Sequence, residues 1–69
     1  MDKLTSSQKA VLSFIKGFQK KHGYAPTRSE ISDNFGWSGG YAAECHLVPL
    51  ARKGAIRLAR GIARGIVVL

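Results

Sequence analysis

A mostly α fold closed by a small β-hairpin is what this 69-residue chain predicts. Two capping boxes open two amphipathic segments, a tight turn containing Gly36 separates the second from a third, and two short apolar runs follow with arginines between them. Three helices followed by a two-stranded antiparallel basic hairpin make a winged helix-turn-helix. The length allows one such domain, residues 1–69, with a modest core.

The first box is Thr5-Ser6-Ser7-Gln8, where the Thr5 hydroxyl satisfies an orphan amide and the Gln8 side chain reaches back, so a helix starts at about Ser6. Val11, Leu12, Phe14, Ile15 and Phe18 then fall on one broad face, with Lys9, Lys16, Gln19 and Lys20 largely elsewhere. Lys20, Lys21 and His22 complement the carbonyl end, and Gly23 stops the helix. Tyr24-Ala25-Pro26 is extended, because a residue before proline avoids helical angles.

Thr27-Arg28-Ser29-Glu30 is the second box, opening a two-turn helix that carries Ile31 and Phe35 inward and stops at Gly36. After Trp37-Ser38-Gly39-Gly40 breaks the pattern, Ala43, Leu47 and Leu50 recur at i, i+4 and i+7, and Gly54 closes a third helix. Pro49 lies inside it, removing one backbone bond at a cost of roughly 3 kcal/mol, and a kink is expected near Cys45, whose carbonyl loses its partner. Ala55 to Leu58 and Gly65 to Leu69 read as the two strands of the wing, joined by Ala59 to Arg64. Phe14, Phe18, Phe35 and Trp37 are expected in the core rather than stacked on bases.

Eleven Lys and Arg stand against four acids, for a formal net charge of +7. No acid follows Glu44, whereas Arg52, Lys53, Arg57, Arg60 and Arg64 all do, which leaves the C-terminal third an unopposed cationic surface. Such a balance calls for an anionic partner, most commonly nucleic acid. Cys45 is the only cysteine, and neither a secretory signal nor an apolar run of about 18 residues occurs, so a cytoplasmic protein without membrane contact is expected. Cys45 and His46 are adjacent and diverge on a helix, and His22 brings no carboxylate cluster with it, so no metal site is expected. No nucleophile, base and orienting group occur at useful spacing, which argues against an enzyme, a cofactor or a small-molecule substrate.

Taken in order, Leu4-Thr5, Pro26-Thr27-Arg28, Glu30-Ile31, Ala42-Ala43-Glu44, His46-Leu47, Leu50-Ala51-Arg52-Lys53-Gly54 and Arg64-Gly65-Ile66 form a pattern that is specific in combination. With them the chain resembles the N-terminal DNA-binding domain of the LexA repressor family, regulators of bacterial DNA-damage responses, over nearly its whole length. The resemblance implies that the third helix enters the major groove, that Ala42 and Glu44 meet base edges, and that Thr27, Arg28, Arg52, Lys53 and Arg64 meet phosphates. Physically, Glu44 can accept from a cytosine amino group and the Ala42 methyl can touch a thymine methyl. Gly39, Gly40, Tyr41 and Cys45 depart from the residue types usual in the family. Tyr41 cannot reproduce the bidentate hold that Asn has on adenine. The family's C-terminal Ser–Lys peptidase and dimer domain has no counterpart here, so self-cleavage is not expected. An excised domain and a free-standing relative of bacterial or mobile-element origin both fit.

The reading face is expected to hold Tyr41, Ala42, Glu44, Cys45 and Val48, opposite Ala43, Leu47 and Leu50. Arg60 joins Arg64 as a wing contact to phosphate, since Arg57, Arg60 and Arg64 share one short hairpin without an acid. Double-stranded DNA is the expected partner, with weak homodimerisation mainly on DNA. Sequence-specific binding by a transcriptional repressor, or by its DNA-binding part, is the leading expectation. The alternative is a protein-interaction module that keeps the winged fold, binds DNA non-specifically and docks a host repressor or polymerase through Tyr41, Cys45 and Val48.

Overall fold

The structure, a computed structural model, describes residues 4–59, 61, 62 and 64–69. It contains helices α1 (Ser6–His22), α2 (Arg28–Phe35) and α3 (Gly39–Arg52), then strands β1 (Ile56–Leu58) and β2 (Ile66–Val68). Ile56 pairs with Val68 and Leu58 with Ile66 in an antiparallel ladder. The mostly helical architecture with one hairpin is that of a winged helix-turn-helix.

Local chemistry sets the helix ends. Both capping boxes close as their sequences require: the Gln8 amide donates to Thr5 Oγ1 at 3.1 Å and the Thr5 amide to Gln8 Oε1 at 3.1 Å. The Glu30 amide donates to Thr27 Oγ1 at 3.1 Å and the Thr27 amide to Glu30 Oε1 at 2.8 Å. The turn between α2 and α3 is a Schellman closure, in which the Trp37 amide reaches back to the Ser32 carbonyl at 2.8 Å. The buried Ser32 hydroxyl then donates to the Gly39 carbonyl at 2.6 Å, tying the second helix to the first residue of the third.

Helix α3 starts at Gly39, earlier than the apolar spacing indicates, so both turn glycines lie in its first turn. It runs as one helix through Pro49 to Arg52, although the proline nitrogen has no hydrogen to give the Cys45 carbonyl. A second Schellman closure ends it, with the Ala55 amide on the Leu50 carbonyl at 3.0 Å.

The core lies where the three helices meet. Val11 and Ile15 of α1, Ile31 of α2 and Ala43, Leu47 and Leu50 of α3 are fully buried, and Ile56 and Ile66 seal it from the wing side. Each large aliphatic side chain so buried contributes about 1.5–3 kcal/mol. The aromatic residues sit at the flank of this core rather than at its centre. Phe18, Phe14, Phe35, Trp37 and His46 are all half-buried and follow one another as a ladder of rings, with centroids 5.8, 5.8, 4.8 and 4.6 Å apart. Branched aliphatics fill the narrow space between short helices, and the larger rings roof the open seam.

Candidate nucleic-acid interface

Helical geometry divides the surface of α3 into three strips. Tyr41, Cys45, Val48 and Arg52, at i, i+4, i+7 and i+11, form an outer stripe of exposed side chains. Tyr41 keeps 81% of its full exposure and Val48 38%. Ala42 and His46 lie along one flank, where His46 stacks on Trp37 and its Nδ1 sits 3.0 Å from the Ala42 carbonyl. Glu44 and Ala51 lie along the other flank, facing the wing.

Between that second flank and β1 runs an open groove of about 510 Å³. Val48, Ala51 and Leu58 are among its apolar lining residues, and Arg28, Glu44 and Arg57 supply the charged ones. Arg28 Nε and Nη2 donate to the two oxygens of Glu44, the latter at 3.3 Å. The family resemblance implies a phosphate contact for Arg28 and a place on the reading face for Glu44; the structure joins them as an ion pair that lines the groove.

The basic residues beside α3 are also drawn inward. Lys53 Nζ donates to Gln8 Oε1 at 2.8 Å, linking the end of α3 to the cap of α1. Arg64, at the foot of β2, donates from Nη1 to the Ala25 carbonyl at 2.9 Å and lies 4.4 Å from the centre of the Tyr24 ring. It also grips both oxygens of Glu30. Its hydrogen bond, followed by that of the Thr27 amide, holds the Glu30 carboxyl down at about 2. Glu30 in turn raises the Arg64 guanidinium above its ordinary value.

The structure therefore brings together Tyr41, Cys45, Val48 and Arg52 on one stripe, with Ala42 and Glu44 to either side. Thr27 is occupied as a helix cap. Arg60 lies outside the described residues. Pairing of Glu44 with a nearby Arg or Lys is a reading the sequence allows, but it does not single out Arg28 as the partner, nor does it signal the contacts of Arg64 with Glu30 and Tyr24. The Arg28–Glu44 and Arg64–Glu30 pairs close over 16 and 34 residues of chain, and no local pattern signals contacts of that range. Among the described residues, no three His, Cys, Asp or Glu side chains are placed to share a metal ion. Nor is any described helix long and apolar enough to cross a membrane.

Comparison with known proteins gives this surface a context. The LexA repressor of Pseudomonas aeruginosa (strain LESB58) is 52% identical over 66 residues, which are 96% of this chain and 32% of that protein. The LexA repressors of Saccharophagus degradans and Halorhodospira halophila are 50% and 48% identical over the same length. The chain spans about a third of the length of the curated relatives it matches. The family described as LexA DNA binding domain matches residues 1–65, a DNA-binding rather than a catalytic unit, and the chain belongs to that family.

Proposed function

We propose that this domain reads a short double-stranded DNA sequence with the outer face of α3 and acts as the operator-binding part of a transcriptional repressor of the SOS response. The exposed stripe of Tyr41, Cys45, Val48 and Arg52, set on a helix-turn-helix with a wing beside it, is the observation that carries this reading. An α-helix fits the major groove of B-form DNA, and the side chains on its outer face meet base edges. Ala42 and Glu44 flank the stripe and complete the base-reading set. Thr27, Arg28, Arg52, Lys53, Arg60 and Arg64 surround it as the phosphate-contacting set. A phosphate contact from Arg64 requires exchange with Glu30, which orders the wing before DNA arrives.

A net charge of +7 gives sequence-independent affinity, and the α3 face adds the discrimination. Two copies on an inverted repeat double the contacts, so pairing on DNA rather than in free solution is the working arrangement. The bacterial cytoplasm is the compartment this role requires.

Selection of bound duplexes from a random pool at near-physiological salt tests the proposal. Enrichment of a short motif, alone or as an inverted repeat, is expected. Salt-sensitive binding with no enriched motif would refute it and favour a module that docks protein through the exposed Tyr41, Cys45 and Val48.

A further inference from the structure

Arg28 is the first helical residue of α2, and Glu44 stands on the groove-facing flank of α3. Their contact has two points, Nε and Nη2 on the two carboxylate oxygens. A planar guanidinium held this way fixes the plane of the carboxylate as well as its place, which a single-point contact does not. The two side chains keep 32% and 37% of their exposure, so the pair adds little to stability. It restricts the rotamers of Glu44 and offsets the repulsion between a bare carboxylate and DNA phosphates.

Gly40 belongs to the same arrangement. A Cβ at that position would lie 3.3 Å from Arg28 Cβ, a tight contact. The stem of Arg28 passes close over the first turn of α3, and Glu44 lies one turn further along the same helix.

We propose that Arg28 is a positioning residue for base recognition: it holds the Glu44 carboxylate in the orientation that accepts a hydrogen bond from the amino group of one base, cytosine N4 by preference. The inference rests on α3 being the reading helix. Nη1 of Arg28, which no described residue engages, stays available to the neighbouring phosphate. One guanidinium then links the register of the backbone to the reading of a base. Specificity at that base pair is set by three residues, Gly40, Arg28 and Glu44, although only Glu44 touches the base.

The test uses the duplex enriched from the random pool and a panel of its single-base-pair changes, with affinities measured for the wild-type domain and for Glu44→Ala, Arg28→Met, Arg28→Lys and Gly40→Ala. Arg28→Met is expected to lose about tenfold discrimination at the same base pair as Glu44→Ala. Arg28→Lys, which offers one contact point, is expected to fall between Arg28→Met and wild type. Gly40→Ala keeps both charged side chains but crowds the Arg28 stem, and is expected to weaken discrimination at that base pair. If Arg28→Met weakens every duplex by one factor and keeps the wild-type discrimination, Arg28 is a phosphate clamp and the positioning role is overturned. Should the wild type itself show no discrimination across the panel, base reading fails first, and that failure is visible without any variant. In the free protein, the NMR signal of the Arg28 Nε–H is expected to shift and exchange faster in Glu44→Ala. An unchanged signal contradicts the contact on which the inference stands.

Discussion

Arg64 grips Glu30 across 34 residues of sequence, with Nη1 2.7 Å from Oε1 and Nη2 3.1 Å from Oε2. Glu30 Oε1 also accepts the Thr27 amide that opens α2. One carboxylate thus completes a helix cap and anchors the wing, so the helix-turn-helix and the hairpin are joined through a residue whose sequence context explains only the first role.

The linkage has a pH signature. Glu30 titrates at about 2 in the folded chain against an ordinary 4.5, so the unfolded state binds its proton first as pH falls. The contribution to stability is therefore present above 4.5 and lost as pH falls from there to about 2. Thermal unfolding of wild type and Glu30→Gln is expected to differ most at neutral pH, with the gap shrinking through this window. A gap of constant size from neutral pH to the acid end contradicts the assignment. Both side chains are partly solvated, so the effect is modest.

Gly65 makes the wing possible in a second way. A Cβ there would stand 2.6 Å from the Ala59 carbonyl oxygen and 3.0 Å from that of Ile62, both backbone atoms that cannot step aside. Gly65→Ala is expected to break the bond from the Ala59 amide to the Gly65 carbonyl, now 2.7 Å, and open the hairpin. Hydrogen exchange checks this: amides of β1 and β2 lose protection while those of α1 keep theirs. Equal protection in Gly65→Ala and wild type would show that the wing absorbs the methyl group.

Pro49 leaves the Cys45 carbonyl without its helical donor. Pro49→Ala restores that donor and is expected to raise stability by up to about 3 kcal/mol, less what is lost in packing of the half-buried ring. Denaturant unfolding measures it. A less stable variant would mean that the ring's contacts outweigh the missing hydrogen bond.

Arg52 stands at the end of the exposed stripe, in the last turn of α3. Arg52→Ala is expected to weaken binding about equally on all duplexes and to reduce the slope of log affinity against log salt by about one. A loss confined to one sequence would move Arg52 from the phosphate set to the base-reading set.

The helices and their ends were legible because their causes are local. Thr5 with Gln8, and Thr27 with Glu30, are three residues apart, and Gly23, Gly36 and Gly54 punctuate the apolar periodicity between them. The Ala43, Leu47, Leu50 spacing identified the buried side of α3, and the outer face followed by subtraction. Pairing of Glu44 with some Arg or Lys was a reading the sequence allowed, but which charges pair was not legible. Composition shows Arg28, Arg64, Glu30 and Glu44 as isolated charges on a cationic chain, and only the packing of α2 against α3 and of the wing against Tyr24 pairs them. The aromatic ladder was half legible: helical spacing turned Phe14, Phe18 and Phe35 inward, but side-chain size placed them at the seam beside Trp37 and His46 rather than at the centre.

The central claim, that α3 reads base sequence, is tested most directly by titrating the selected duplex and a scrambled duplex of equal length over a range of salt. Phosphate contacts are common to both, so both affinities are expected to fall steeply while their ratio stays well above one. A ratio that stays at one across the range would mean that the surface of α3 discriminates no sequence, and the account would be wrong.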